Sequence, residues 1–223
     1  MKKYFLLLLA STATFAQEKP KFGINLGSTF SNIRVSDSNI EEDFFFENTK
    51  YDLNFLLGIS IEFPLNEKFS LIGNVNYERK TFKKSSAFDQ PTLPNPNDPA
   101  FNPDRTFEIK QRLEYLTIPI NLKYYIGNQK RFFINAGPYA GFFLNSNLKF
   151  EGKTIRDNGD NLFKTLDFGA NLGVGTNFKI NEKSSLNLEI RHNYGLIDIV
   201  SKDDYIKLKT NSFNLIANYQ FDL

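Results

Sequence analysis

The chain has 223 residues, with 27 Lys and Arg against 25 Asp and Glu, a single histidine and no cysteine. So even a balance lacks the clustered basic excess of a nucleic-acid footprint. One histidine rules out a two-histidine metal motif, and the absence of cysteine rules out disulfides, so packing and backbone pairing must hold the fold.

Residues 1–16 read as a secretory signal peptide. Lys2 and Lys3 form a basic start, Phe5 to Ala10 an apolar core, and Thr14-Phe15-Ala16 places small residues before a cleavage point at Gln17. The apolar run is far short of the roughly 20 residues that span a bilayer as a helix. Removing it leaves 25 basic and 25 acidic residues in one domain, 17–223.

Eight stretches then alternate apolar and polar residues, the mark of a strand with two different faces. They fall at about 22–33, 51–63, 69–82, 112–126, 132–145, 163–178, 185–196 and 209–222. In the first, Phe22, Ile24, Leu26 and Phe30 oppose Gly23, Asn25, Gly27 and Thr29. In the second, Tyr51 to Phe63 alternate with Asp52, Asn54, Gly58, Ser60 and Glu62, and only Leu56 falls out of phase. The sixth sets Phe168, Ala170, Leu172 and Val174 against Asp167, Gly169, Asn171 and Gly173, and the last sets Phe213, Leu215 and Tyr219 against Ser212, Asn214 and Asn218. Connections alternate long and short. The short ones are Pro64–Lys68, Gly127–Arg131 and Lys179–Ser184; the long ones span about 34–50, 83–111, 146–162 and 197–208. Five of the nine prolines (Pro91, Pro94, Pro96, Pro99, Pro103) make the second long loop extended or disordered.

A period of two permits opposite objects: a soluble lipocalin-like barrel with a greasy interior, or a membrane barrel with apolar residues outward. Three features favour the membrane form. The polar face is built from Gly, Asn and Ser, which fit a narrow eight-stranded lumen. Phe22, Phe63, Phe69, Tyr124, Phe132, Phe178 and Phe221 place an aromatic beside short turns at seven of eight strand ends, as headgroup-level girdles require; Leu186 is the exception. Short turns alternating with long loops match periplasmic turns and external loops. The fold class is therefore all-β: an eight-stranded antiparallel up-and-down transmembrane β-barrel of the Gram-negative outer membrane, preceded by a signal peptide.

Leu113-Glu-Tyr-Leu-Thr-Ile-Pro-Ile-Asn-Leu-Lys-Tyr124 resembles a strand of the PorT-type outer-membrane β-barrel family. Ile134 to Tyr139, the glycine-rich Gly169 to Gly175 and Ile190 to Ile197 are similar to the strands that follow it there. Thr117 and Asn121 depart from the family's usual acidic and apolar residues. The resemblance covers nearly the whole mature chain. It implies a barrel without an assigned activity, and some relatives take part in protein secretion across the outer membrane.

Pro119 and Pro138 lie inside strands, where each removes a ladder donor, so a bulge or a locally open pairing is expected. Asp52, Glu62, Glu78, Lys80, Lys123, Asp167, Glu189 and Arg191 all alternate inward, which predicts paired charges in a polar lumen filled by side chains. His192 aligns with Leu186, Leu188, Ile190 and Tyr194 on the lipid side. A lipid-modifying enzyme with His192 as base would need a serine within hydrogen-bond reach, and Ser201 and Ser212 are the nearest in order. Two loops hold acidic, polar clusters, Asp37–Asp43 and Asp157–Asp160; Asp157-Asn-Gly-Asp-Asn161 lacks the closing Glu of a calcium loop and reads as turn chemistry. Glu41-Glu-Asp-Phe-Phe-Phe46 is either an exposed recognition surface or the upper end of a strand.

The expectation is a non-enzymatic outer-membrane barrel, with no catalytic, cofactor-binding or metal residues. It would act through its external loops or in an envelope or secretion assembly. Expected partners are outer-membrane lipid and envelope or secretion-system proteins, not nucleic acid, with a monomeric barrel. The lipid-modifying enzyme and the soluble ligand-binding barrel are the alternatives.

Overall fold

A computed structural model describes residues 19–38, 49–87, 106–127, 129–155, 162–201 and 206–222. Its strands are β1 (Lys21–Ser38), β2 (Lys50–Pro64), β3 (Phe69–Ala87), β4 (Thr106–Ile126), β5 (Phe132–Phe150), β6 (Lys153–Ile155), β7 (Leu166–Lys179), β8 (Ser184–Gly195) and β9 (Ile206–Asp222). Every pairing is antiparallel. The ring runs β1-β2-β3-β4-β5-β7-β8-β9 and closes where Phe22 meets both Ile61 and Phe221. Short β6 folds back on β5 through Glu151 and Gly152, both at positive φ, and is not part of the ring. Closure leaves no unpaired edge in the wall, which a bilayer demands.

The wall is apolar outside. Leu26, Ile59 and Leu172 are about 60% exposed, while their neighbours Asn25, Ser60 and Asn171 are buried. Such a continuous exposed apolar surface has a solvent only in lipid. The soluble lipocalin-like alternative, which needs the reverse arrangement, is thereby overturned.

Two aromatic rings bound this belt. The lower is the one expected beside the short turns, where Phe69 and Tyr124 pack at 5.0 Å. The upper contains Phe30, Phe55, Phe142, Phe168, Tyr194 and Phe213, all exposed. Phe22 to Phe30, Phe178 to Phe168 and Phe221 to Phe213 are eight or ten residues apart, close to the roughly 9–11 residues of a tilted membrane strand.

The strands overrun that belt on the side of the long connections. β3 reaches Ala87 and β4 begins at Thr106, several residues beyond the lengths expected from alternation, and β1, β5 and β9 extend likewise. β7 instead begins at Leu166, with Phe163 held outside it by an isolated bridge to Val200. Above the headgroups both faces of a strand meet water or neighbouring loops, so the period-two contrast fades. The proline-rich segment, Glu41–Phe46 and Asp157–Asn161 lie outside the described residues.

Pairing opens around Pro119 without a change of register. On one side Gly73 pairs Ile120 and the next pair is Asn76 with Thr117; on the other, Pro119 pairs Tyr139 and the next pair is Leu122 with Ala136. The missing donors thus give a locally open ladder rather than a bulge. A bulge lies farther up β5, where register shifts opposite Glu114 and Tyr115. Beside the opening, a Cβ on Gly137 would collide with the Ile120 carbonyl oxygen, so only glycine fits.

Candidate functional site

The lumen is knitted by asparagines. Asn187 Nδ2 donates to Asn218 Oδ1 at 3.1 Å, Asn218 Nδ2 donates to Asn25 and to Ser60 Oγ, and Asn25 Nδ2 donates to Asn74 at 3.0 Å and Asn76 at 2.9 Å. This chain crosses from β8 through β9 and β1 to β3. Asn121, one of the two departures from the PorT-type pattern, donates to Asn135 at 3.1 Å and Asn171 at 2.7 Å. Thr117, the other, bonds the Asn76 carbonyl. Both therefore serve the lumen network.

The eight expected inward charges are all directed inward, and most are paired. Lys80 Nζ lies 2.8 Å from Asp167 Oδ2, with Thr210 and Tyr139 hydroxyls on the same carboxylate. Lys123 meets Glu62 at 3.0 Å, where Tyr125 and Gln220 also donate. Arg191 grips Glu189 through two nitrogens, at 2.6 and 3.0 Å. Asp52, nearer the rim, meets Lys110 at 2.9 Å and Lys83 at 3.6 Å. Glu78 is fully buried and makes no direct ion pair among the described residues, although the charge of Lys80 acts on it; Ser212 and Asn214 donate to its Oε1. Each buried charge is costly without such partners.

The expectation of a polar lumen holds over most of the membrane belt, with Leu56, Ile72, Phe133 and Ile216 as buried apolar exceptions, and fails above it. Ile33, Phe82, Leu113, Tyr115, Ile199 and Leu208 form one buried cluster, joined by Val35, Phe143, Phe163 and Val200. They come from β1, β3, β4, β5, β9 and the segments before β7 and after β8, so the cluster crosses the barrel at its external end. Tyr115 and Phe143 meet edge-on at 5.8 Å, and Phe143 meets Phe163 at 5.8 Å. Asp198 fixes the inserted segment: its Oδ1 accepts from Val200 N and Leu208 N, and its Oδ2 holds Lys164 at 2.6 Å. The sequence signal was an inward apolar residue at these positions, which resembled a lapse in alternation.

His192 faces outward, as expected from its neighbours. Its ring stacks on Phe213 at 4.3 Å and Nε2 lies 2.7 Å from Asn211 Oδ1. Asn211 Nδ2 also bonds Asn32 and the Tyr51 hydroxyl, while Arg34 lies 3.6 Å above the Tyr194 ring and donates to its hydroxyl. Ser212, paired with Asn193, points the other way, into the lumen toward Glu78. The sheet thus separates Ser212 from His192. Ser201 is exposed, on the segment that follows β8. Among the described residues no three His, Cys, Asp or Glu converge as a metal site.

The family model described as "Outer membrane protein beta-barrel domain" matches residues 15–201. The chain belongs to this family. It is a small outer-membrane β-barrel protein, located in the outer membrane. Solved barrels are similar at low identity. Pseudomonas aeruginosa OprG is 14% identical, with 92% of this chain and 98% of that one covered and a TM-score of 0.48. Neisserial surface protein A is 14% identical over 91% and 97%, with a TM-score of 0.45. Escherichia coli outer membrane protein W is 15% identical over 92% and 100%, with a TM-score of 0.43. No curated protein matches the sequence.

Proposed function

We propose that this protein is a non-enzymatic, non-conducting barrel whose external face binds partners, as a component of an envelope or secretion assembly. The carrying observation is the apolar cluster of Ile33, Leu113, Ile199 and Leu208 across the external end of the lumen. A barrel stoppered by residues this deeply buried offers its rim and loops to partners rather than a passage to solutes. An eight-stranded wall is also too narrow for a water-filled channel of the porin kind. The PorT-type resemblance supports the assembly reading, and residues 1–16 would be removed on export. The stacked, hydrogen-bonded His192, with Ser212 on the opposite face of the sheet, supports a structural part for this histidine.

The test is affinity capture of tagged protein from crosslinked, detergent-solubilised outer membranes. The reading expects a defined envelope protein that is lost when the 88–105 segment is replaced by a short Gly-Ser linker. Capture of the barrel alone, together with altered lipid A on its deletion, would overturn it.

A further inference from the structure

The periplasmic end of the barrel opens into a vestibule of about 520 Å³, between the short turns and the paired ends of β1 and β9. Among the described residues five lysines line it (Lys19, Lys21, Lys130, Lys179, Lys183), against two carboxylates, Glu182 and Asp222. That bias is local, since the chain as a whole is nearly neutral. Lysines on exposed turns ordinarily face water singly; here they converge on one concave site. Lys21, Lys179 and Lys183 form no ion pair among the described residues.

The lining also carries unmet hydrogen-bonding capacity. Gln220 is 1% exposed, and its Nε2 donates to Glu62 Oε2 at 2.8 Å. A carboxylate only accepts, so this bond fixes the orientation of the amide and assigns Oε1 as the free acceptor. Gln220 Oε1 is buried and unpartnered, and so is the hydroxyl of Ser184, another vestibule residue. A buried acceptor without a donor is costly, which makes it a position where a ligand gains by supplying one.

The geometry points to this vestibule as a docking site for an acidic peptide segment of a periplasmic protein. Side-chain carboxylates of such a segment pair with Lys21, Lys179 and Lys183 and accept from Ser184, and its backbone N–H supplies the donor that Gln220 Oε1 lacks. A fully deprotonated inorganic anion such as sulfate matches the charge but has no donor for the fixed acceptor. This site lies at the opposite end of the barrel from the external surface and is independent of what binds there.

The test is fluorescence anisotropy with a fluorescein-labelled hexaglutamate peptide and the full-length processed barrel in detergent micelles. Binding is expected for hexaglutamate and not for a hexaserine control. Replacing Lys21, Lys179 and Lys183 together by Gln is expected to weaken it about tenfold, from the summed loss of three exposed charge contacts. Ser184→Ala, which leaves the charge untouched, is expected to weaken it about threefold through the lost hydrogen bond. Lys149→Gln with Lys153→Gln, at the external end, is expected to change nothing, and gel mobility of each variant reports folding. The proposal is overturned by absence of binding at about 1 mM peptide, by binding that survives the triple substitution, or by inorganic sulfate competing as well as unlabelled hexaglutamate at equal concentration.

Discussion

Lys80 on β3 and Asp167 on β7 meet at 2.8 Å across the lumen, although two strands of the ring, β4 and β5, stand between theirs. Both side chains are almost fully buried, and Thr210 and Tyr139 complete the cluster. Asp167→Asn removes the counter-charge and strands the ammonium. We expect a loss of about 3–5 kcal/mol, whereas Lys80→Met combined with Asp167→Leu should be close to neutral. Urea titration followed by gel mobility of the folded barrel checks this; equal losses in both variants would contradict the clamp.

The lipid face predicts a depth dependence along β7. Leu172→Arg places a cation near the middle of the belt and should cost about 2–4 kcal/mol. Phe178→Arg, in the lower girdle, should cost much less, because an arginine there reaches the headgroups. The same unfolding assay in lipid vesicles compares the two, and an inverted order would place the membrane elsewhere.

The stoppered lumen predicts no stepwise conductance in planar bilayers. Leu113→Ala, inside the apolar cluster, should cost about 2–5 kcal/mol of stability through the cavity it leaves. A steady conductance from the unaltered protein would show that the cluster does not close the barrel.

His192→Ala should leave lipid A composition unchanged, as read by mass spectrometry. It should cost about 1 kcal/mol, through the lost stack on Phe213 and the lost hydrogen bond to Asn211. Restoration of an altered lipid A profile by the unaltered gene alone would instead make the ring a catalytic base.

Alternation made the membrane belt legible because only there do the two faces of each strand meet different solvents. Asn25 and Leu26 are distinguished by burial as their chemistry suggests. Leu56, out of phase in the sequence, is in fact inside the barrel and buried. The inward charges were readable as a set, but the pairing of Lys80 with Asp167 was not, since 87 residues separate them and strand stagger decides which side chains meet. The external stopper was hidden for a different reason. Ile33, Leu113 and Leu208 are apolar on the inward face, which in the sequence looks like a loss of pattern. The periplasmic vestibule was hidden too, because Lys21, Lys130, Lys179 and Lys183 belong to three separate strand ends and turns.

The barrel wall is apolar toward lipid and, across the membrane belt, mainly polar toward its own lumen. The chain has no cysteine, so single substitutions Leu26→Cys, Ile59→Cys and Leu172→Cys can each carry a nitroxide without background. Collision with oxygen and with a water-soluble nickel complex, measured by electron paramagnetic resonance in bilayers, reads the solvent at each site directly. High oxygen and low nickel accessibility at all three positions is the predicted result; high nickel accessibility there would contradict the account.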